Sequence, residues 1–135
     1  MAAPLSPGFQ QLLREPSYGE IATVMPDGSP LIAQVWVDTD GEHILVKTTR
    51  DSQKVRNVRR DPRVAVNVFD PGNQWRLGNA RGRVVEVTEE GADAQIDRLG
   101  KKYRGWDTYP YKDPNNPRVI LKIAPERVRE VGLDQ

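Results

Sequence analysis

Hydrophobic and polar residues alternate along most of the chain, and this pattern predicts β-strands separated by short turns. The predicted strands are residues 20–25, 30–37, 43–48, 63–69, 74–88 and 118–123. Turn signals stand between several of them, at Asp27-Gly28, Asp40-Gly41 and Pro71-Gly72. About six strands joined mainly by hairpins predict a mainly β protein with a small antiparallel barrel.

Three segments of different periodicity predict short helices. The first follows Ser6-Pro7, an N-cap with proline in the first turn, and ends before Pro16. The second begins at Asp51 or Ser52, and the third, an acidic helix, opens with Thr88-Glu89-Glu90. The apolar residues on one face of the first and third helices are Phe9, Leu12, Leu13, Ile96, Leu99 and Tyr103. We expect the first helix to cover one end of the core.

Length and composition narrow the function classes. A chain of 135 residues with 37% hydrophobic content fits one domain spanning residues 1–135. The absence of cysteine excludes disulfides, thiolate metal sites and cysteine nucleophiles. No apolar run approaches the roughly 20 residues that cross a bilayer, and residues 1–7 lack the features of a signal peptide, so we expect a cytoplasmic protein. The lone His43 predicts a structural or surface role and no metal site.

Positive charge is concentrated between Arg50 and Arg63. This stretch holds six cations against two acids, although the net charge of the whole chain is only +1. The free amides at the start of the helix that opens near Ser52, together with Lys54, would bind an anion such as phosphate. A solvated basic face is one alternative. A nucleic-acid surface is another, but no aromatic residue is interleaved with these cations to stack a base, and the pI is only about 8.0.

The order of elements and the wording of several motifs match a known superfamily. The segments that carry the match are 21–24 with 27–28, 48–50, 52–64, 81–84 and 117–120. In these segments the chain resembles the flavin/deazaflavin oxidoreductase superfamily, which has the pyridoxamine-phosphate-oxidase-like split β-barrel, and it resembles the coenzyme F420-dependent branch most. The resemblance covers nearly the whole chain, and residues 52–64 are its most specific part. It implies a six-stranded antiparallel split β-barrel of the FMN-binding type. It also implies a homodimer with two cofactor sites at the subunit interface, each built from both chains.

The resemblance also implies which residues hold the cofactor. Ser52 and Lys54 would contact its phosphate, with Gln53 and Arg50 alongside. Thr48, at the end of its strand, would face the same ribityl phosphate.

The ring system of the cofactor would lie along the strand that contains Gln34, Val35 and Trp36, and Trp75 would approach it from the partner subunit. For both tryptophans the alternative is packing in the core or the dimer interface. The proline- and aromatic-rich loop 106–117 could close over the substrate or wrap the other subunit.

The implied function is an oxidoreductase that uses coenzyme F420 to transfer a hydride to a small organic molecule. Because the cofactor carries the hydride, no catalytic side chain and no metal are expected. FMN offers a similar phosphate, so an FMN-dependent oxidase or reductase stays open, as does a flavin- or deazaflavin-binding protein without turnover. The longer C-terminal motif with which pyridoxamine phosphate oxidases bind their substrate is absent, so that activity is not expected. Gly78 and Gly82 form no dinucleotide fingerprint and are expected to bend their strand.

Overall fold

The computed structural model of the protein describes residues 3–133, which form seven strands and three helices. The elements are α1 (Pro7–Arg14), β1 (Tyr18–Val24), β2 (Pro30–Val35), β3 (Val37–Thr39), β4 (Ile44–Thr49), α2 (Gln53–Arg60), β5 (Arg63–Asp70), β6 (Asn73–Thr88), α3 (Ala92–Arg104) and β7 (Arg118–Val131). None of the helices within residues 3–133 is long and apolar enough to cross a membrane.

The strands form one antiparallel sheet in the order β2-β1-β5-β6-β7-β4-β3. Its two edge strands, β2 and β3, are consecutive in the chain and are separated only by Trp36. The sheet therefore curls so that its two edges come together at Trp36, which confirms the predicted mainly β split barrel, with seven strands instead of the six predicted. The predicted strand 30–37 is wrong in one respect: it is two strands. Because β2 pairs with β1 and β3 pairs with β4, the chain must change from one edge to the other, and it does so at Trp36.

The first helix seals one end of the barrel, as its sequence pattern predicts. The side chains of Phe9, Leu12 and Leu13 are fully buried. The hydroxyl of Ser6 accepts a hydrogen bond from the N–H of Phe9 at 3.0 Å, so the predicted N-cap is confirmed.

The last strand is longer than the predicted residues 118–123, because it continues to Val131. Pro125 lies within it, opposite Gly82, where the pairing of β6 and β7 changes register. A proline cannot donate to a strand ladder, and a bulge is one of the few places where a sheet accepts it. The third helix starts at Ala92 rather than near residue 88, because β6 extends through Thr88.

The two glycines of β6 have different roles. Gly82 lies at the register shift, as predicted, and a Cβ there would overlap the carbonyl oxygen of Ala124. Gly78 keeps a regular register with Val68, so it is not at a bulge. A Cβ on Gly78 would lie 2.8 Å from the ring of Phe9. The lack of a side chain at Gly78 therefore allows the Phe9 ring of α1 to pack directly against the sheet.

We expect Gly78→Ala to destabilise the protein by about 1–3 kcal/mol, because the new methyl group overpacks the Phe9 ring. Urea unfolding of the variant measures this loss. The same substitution should cost less in a Phe9→Leu background, because leucine lacks the ring edge that clashes. Equal costs in the two backgrounds would show that the ring does not select glycine at this position.

Candidate functional site

A cavity of about 520 Å³ opens where the ends of β2 and β4 face α2, the last turn of α3 and the loop before β7. Its volume lies within the range of small-molecule and cofactor sites. Five residues that the sequence implicates line it: Gln34, Val35, Trp36, Thr48 and Lys54. The cavity thus lies between the segment 34–36, which is expected to face the ring system of a cofactor, and the predicted anion site at Lys54.

The anion-binding end is built where β4 passes into α2. Ser52 is the N-cap of α2, and its hydroxyl accepts hydrogen bonds from the N–H of Val55 at 3.3 Å and from the hydroxyl of Thr48 at 3.2 Å. The amides of Gln53 and Lys54 in the first turn have no acceptor inside the helix. The Lys54 side chain is half-buried at the cavity, and desolvation lowers its pKa. An anion at this end would compensate that desolvation.

Four other residues that the resemblance implicates do not line the cavity. Ser52 contacts the cavity only indirectly: its hydroxyl accepts a hydrogen bond from Thr48, which lines the cavity, and it caps α2. The side chain of Gln53 donates to Asn57 at 2.8 Å and accepts from Arg56 at 2.7 Å.

Arg50 and Trp75 lie further from the cavity. Arg50 is exposed and lies 3.7 Å from Glu89 and 3.4 Å from the carbonyl oxygen of Asn115. Trp75, at the start of β6, is 69% exposed and makes no contribution to the cavity of its own chain.

The cavity carries positive charge without a matching acid. Lys47, Lys54, Arg104 and Arg118 line it, and its lining contains no Asp or Glu. Within residues 3–133, none of these four cations has a carboxylate oxygen within 4.0 Å. Desolvation, followed by the charges of Arg118 and Lys54, lowers the pKa of Lys47 to about 8. Such a cavity favours an anionic ligand.

Aromatic side chains form the wall of the cavity. Trp36 stacks on Tyr103 with ring centroids 5.1 Å apart and planes 7° apart, and Tyr109 meets Trp36 edge-on at 6.2 Å. The ammonium of Lys47 lies 5.4 Å from the centroids of both Trp36 and Tyr109. Trp36 thus packs against its own chain and also lines the cavity, and its contact with a cofactor ring stays a prediction.

The loop 106–117 forms part of that wall within one chain. The N–H of Tyr109 donates to the carboxylate of Asp97 at 2.9 Å, and Arg118 donates to the Tyr109 hydroxyl at 2.7 Å. Trp106 packs on the rings of Trp36 and Tyr109. The loop therefore belongs to the cavity of its own chain, and whether it also wraps a second subunit stays a prediction.

Sequence reasoning missed Lys47, Tyr103, Arg104, Tyr109 and Arg118, although they line the cavity. Lys47 could have been found from strand alternation. Its neighbours in β4, Val46 and Thr48, are buried, so Lys47 must lie on the other face of the strand, outside the barrel core. The others come from the end of a helix, a loop and the first residue of a distant strand, which periodicity cannot bring together.

His43 lies outside the cavity. Its Nδ1 is 2.9 Å from the Asp40 carboxylate, at the turn between β3 and β4. This local pair fits the predicted structural role.

The comparisons with known proteins agree with this fold. The pattern of the family described as pyridoxamine 5'-phosphate oxidase matches residues 5–132. The chain belongs to this family, and its predicted place in the split-barrel superfamily is confirmed.

Solved structures with the same fold extend this result. A protein named F420 reductase is 35% identical to the chain, with a TM-score of 0.80, and the match covers 93% of this chain and 98% of that one. A conserved hypothetical protein from Mycobacterium tuberculosis is 28% identical, with a TM-score of 0.67 and coverage of 96% and 86%. General Stress Protein 26 from Bacillus anthracis shares the fold at 19% identity, with a TM-score of 0.68 and coverage of 94% and 93%.

Proposed function

We propose that the protein is an oxidoreductase that binds a flavin or deazaflavin cofactor, with coenzyme F420 as the preferred one. The observation that carries this proposal is the cavity itself, in which Lys54 at the start of α2 and three further cations, none paired with an acid of residues 3–133, adjoin a wall of aromatic rings. A cofactor with a planar ring and a phosphate needs these two surfaces side by side. The 35% identity to a protein named F420 reductase supports the choice of cofactor.

The residues present fit such a cofactor. The Lys54 ammonium, the Thr48 hydroxyl and the first amides of α2 would hold its phosphate, and the chain 34–36 with the Trp36 ring would lie beside its ring system. Ser52 would position Thr48 through their hydrogen bond. Gln53 and Arg50 would contribute from the rim of the site only after a change of rotamer, because both are engaged elsewhere.

When bound, the reduced cofactor supplies the hydride. The chain's own residues then have three tasks: to fix the ring, to shape the space for the substrate and to exclude water. Trp36, Tyr103 and Tyr109 would exclude water from one side of the ring through their mutual packing.

We further propose that the protein acts as a homodimer whose second subunit completes the site. Trp75 and Ile32 are 69% and 66% exposed, and neither contributes to the cavity of its own chain. Large exposed apolar side chains of this kind support an interface. A molar mass measured by light scattering near twice the 15.2 kDa of the chain is expected, and a monomer would contradict this part of the proposal.

Titration of the purified protein with coenzyme F420, FMN and riboflavin tests the choice of cofactor. We expect micromolar or tighter binding of coenzyme F420, weaker binding of FMN, and the weakest binding of riboflavin, which lacks the phosphate. Preference for FMN would move the protein to the flavin-dependent class. Binding of none of the three would overturn the proposal.

Turnover requires a separate measurement. Reduced coenzyme F420 is mixed with the protein and a panel of conjugated or nitro compounds, and its reoxidation is followed by absorbance. Tight binding without reoxidation would favour a protein that binds the cofactor without turnover.

A further inference from the structure

Two cations at the aromatic wall lie next to each other on the outer face of the sheet. In the β4–β7 register, Thr49 is opposite Arg118 and Lys47 is opposite Ile120. Lys47 and Arg118 are therefore diagonal neighbours on one face, within reach of each other for long side chains. Tyr109 covers both, with its ring centroid 5.4 Å from the Lys47 ammonium and 4.7 Å from the Arg118 guanidinium carbon.

This cation pair has no counter-ion among residues 3–133. The Nε of Arg118 is buried and has no hydrogen-bond partner in the described part of the chain. The nearby acids are engaged, because Asp97 binds Lys112 and the N–H of Tyr109, and Glu89 lies against Arg50. Two half-buried cations without an acid cost free energy that a bound anion would recover.

The position of the pair indicates which ligand would carry that anion. Lys47 lies over the Trp36 ring, at the wall proposed for the ring system, whereas the phosphate anchor is at the start of α2. We propose that Lys47 and Arg118 form a subsite for the carboxylate of the substrate, so that the substrates are small planar organic acids. This inference deepens the proposed function and depends on it only for the use of the subsite in catalysis.

The protonation of Lys47 gives the subsite a measurable signature. Lys54 of α2 and Arg118 of β7 face Lys47 and repel its charge, Tyr109 and Trp36 cover it, and α3 contributes Tyr103 and Arg104 to the same cavity. Burial and the two cations lower its pKa to about 8. A bound carboxylate stabilises the ammonium and raises this pKa, so binding near pH 8 takes up a proton. Affinity should therefore be highest below pH 8 and fall as the pH rises above it, where Lys47 is neutral.

Trans-cinnamate and cinnamamide are suitable probes, because they share a planar body and differ in charge. Their binding is followed by the fluorescence of the unmodified protein's tryptophans, of which Trp36 and Trp106 pack at the cavity wall. At pH 7 we expect cinnamate to bind at least tenfold more tightly than cinnamamide. Calorimetry near pH 8 in buffers of different ionisation enthalpy should show net proton uptake on cinnamate binding.

Three variants separate the subsite from general charge effects. Lys47→Met should remove both the preference for cinnamate and the proton uptake. Lys47→Arg should keep the preference and extend it above pH 8, because arginine does not titrate there. The exposed Lys101 of α3 provides a matched control, and Lys101→Met should change neither.

Equal affinity for the two probes, or an unchanged preference in Lys47→Met, would overturn the subsite. So would displacement of cinnamate by inorganic phosphate or by FMN, because the carboxylate would then occupy the cofactor's place. Failure of the proposed function is separately visible: cinnamate would still depend on Lys47 while neither coenzyme F420 nor FMN bound. The converse result, a bound cofactor with no discrimination between the probes, would reject the subsite alone.

Discussion

Lys54→Ala is expected to weaken the binding of coenzyme F420 by about 1.5–3 kcal/mol, the range for a hydrogen bond to a charged group. This is about a ten- to hundredfold rise in Kd. Lys54 lies in the first turn of α2, half-buried at the cavity and without a carboxylate partner within residues 3–133. Its charge can therefore act on a bound phosphate with little competition. Fluorescence titration of the variant and of the unmodified protein measures the difference.

Arg59→Ala is the matched control for this loss of charge. Arg59 is exposed in the last turn of the same helix and does not line the cavity, so its removal should change the affinity little. Riboflavin adds a second control, because without a phosphate it should bind both Lys54→Ala and the unmodified protein equally. An unchanged affinity for coenzyme F420 in Lys54→Ala would reject the assignment of the phosphate anchor.

Phe9→Ala is expected to lower the free energy of unfolding by about 3–5 kcal/mol, the usual cost of truncating a buried phenylalanine. Phe9 is fully buried among the side chains that seal the barrel, and its ring lies over Gly78, where no neighbouring Cβ can fill the space. The cavity left behind cannot collapse without moving α1. Because a domain's total stability is about 5–15 kcal/mol, the loss should be plain in urea unfolding.

Tyr18→Ala provides the comparison, because Tyr18 stacks on Phe69 at 5.5 Å but is 48% exposed. Its cost should be clearly smaller than that of Phe9→Ala. A loss below about 1 kcal/mol for Phe9→Ala would mean that α1 contributes little to the core and that the barrel is closed by other contacts.

Short sequence patterns predicted much of this fold, because strand alternation and helix capping depend on residues that are close together in the chain. Strand alternation identified the main strands, and the caps at Ser6 and Ser52 depend only on residues within one turn. The predictions differed from the structure where the ends of a strand are set by its pairing with strands that are distant in the sequence. The strand across Trp36 was predicted as one, since nothing local shows that its halves pair with different neighbours. The extension of β7 through Pro125 depends on a bulge at Gly82 of another strand.

The sequence by itself determined the mainly β class, the helix that seals the core and the basic stretch with Lys54 at a helix start, because periodicity, capping and charge are local properties. Only the tertiary structure decided the rest of the site. Lys47 and Arg118 are brought together by the pairing of β4 with β7, and Tyr103 and Tyr109 reach Trp36 through the packing of α3 and its following loop. Contacts between residues so far apart in the sequence arise when the sheet curls into the barrel, and no short sequence pattern predicts them.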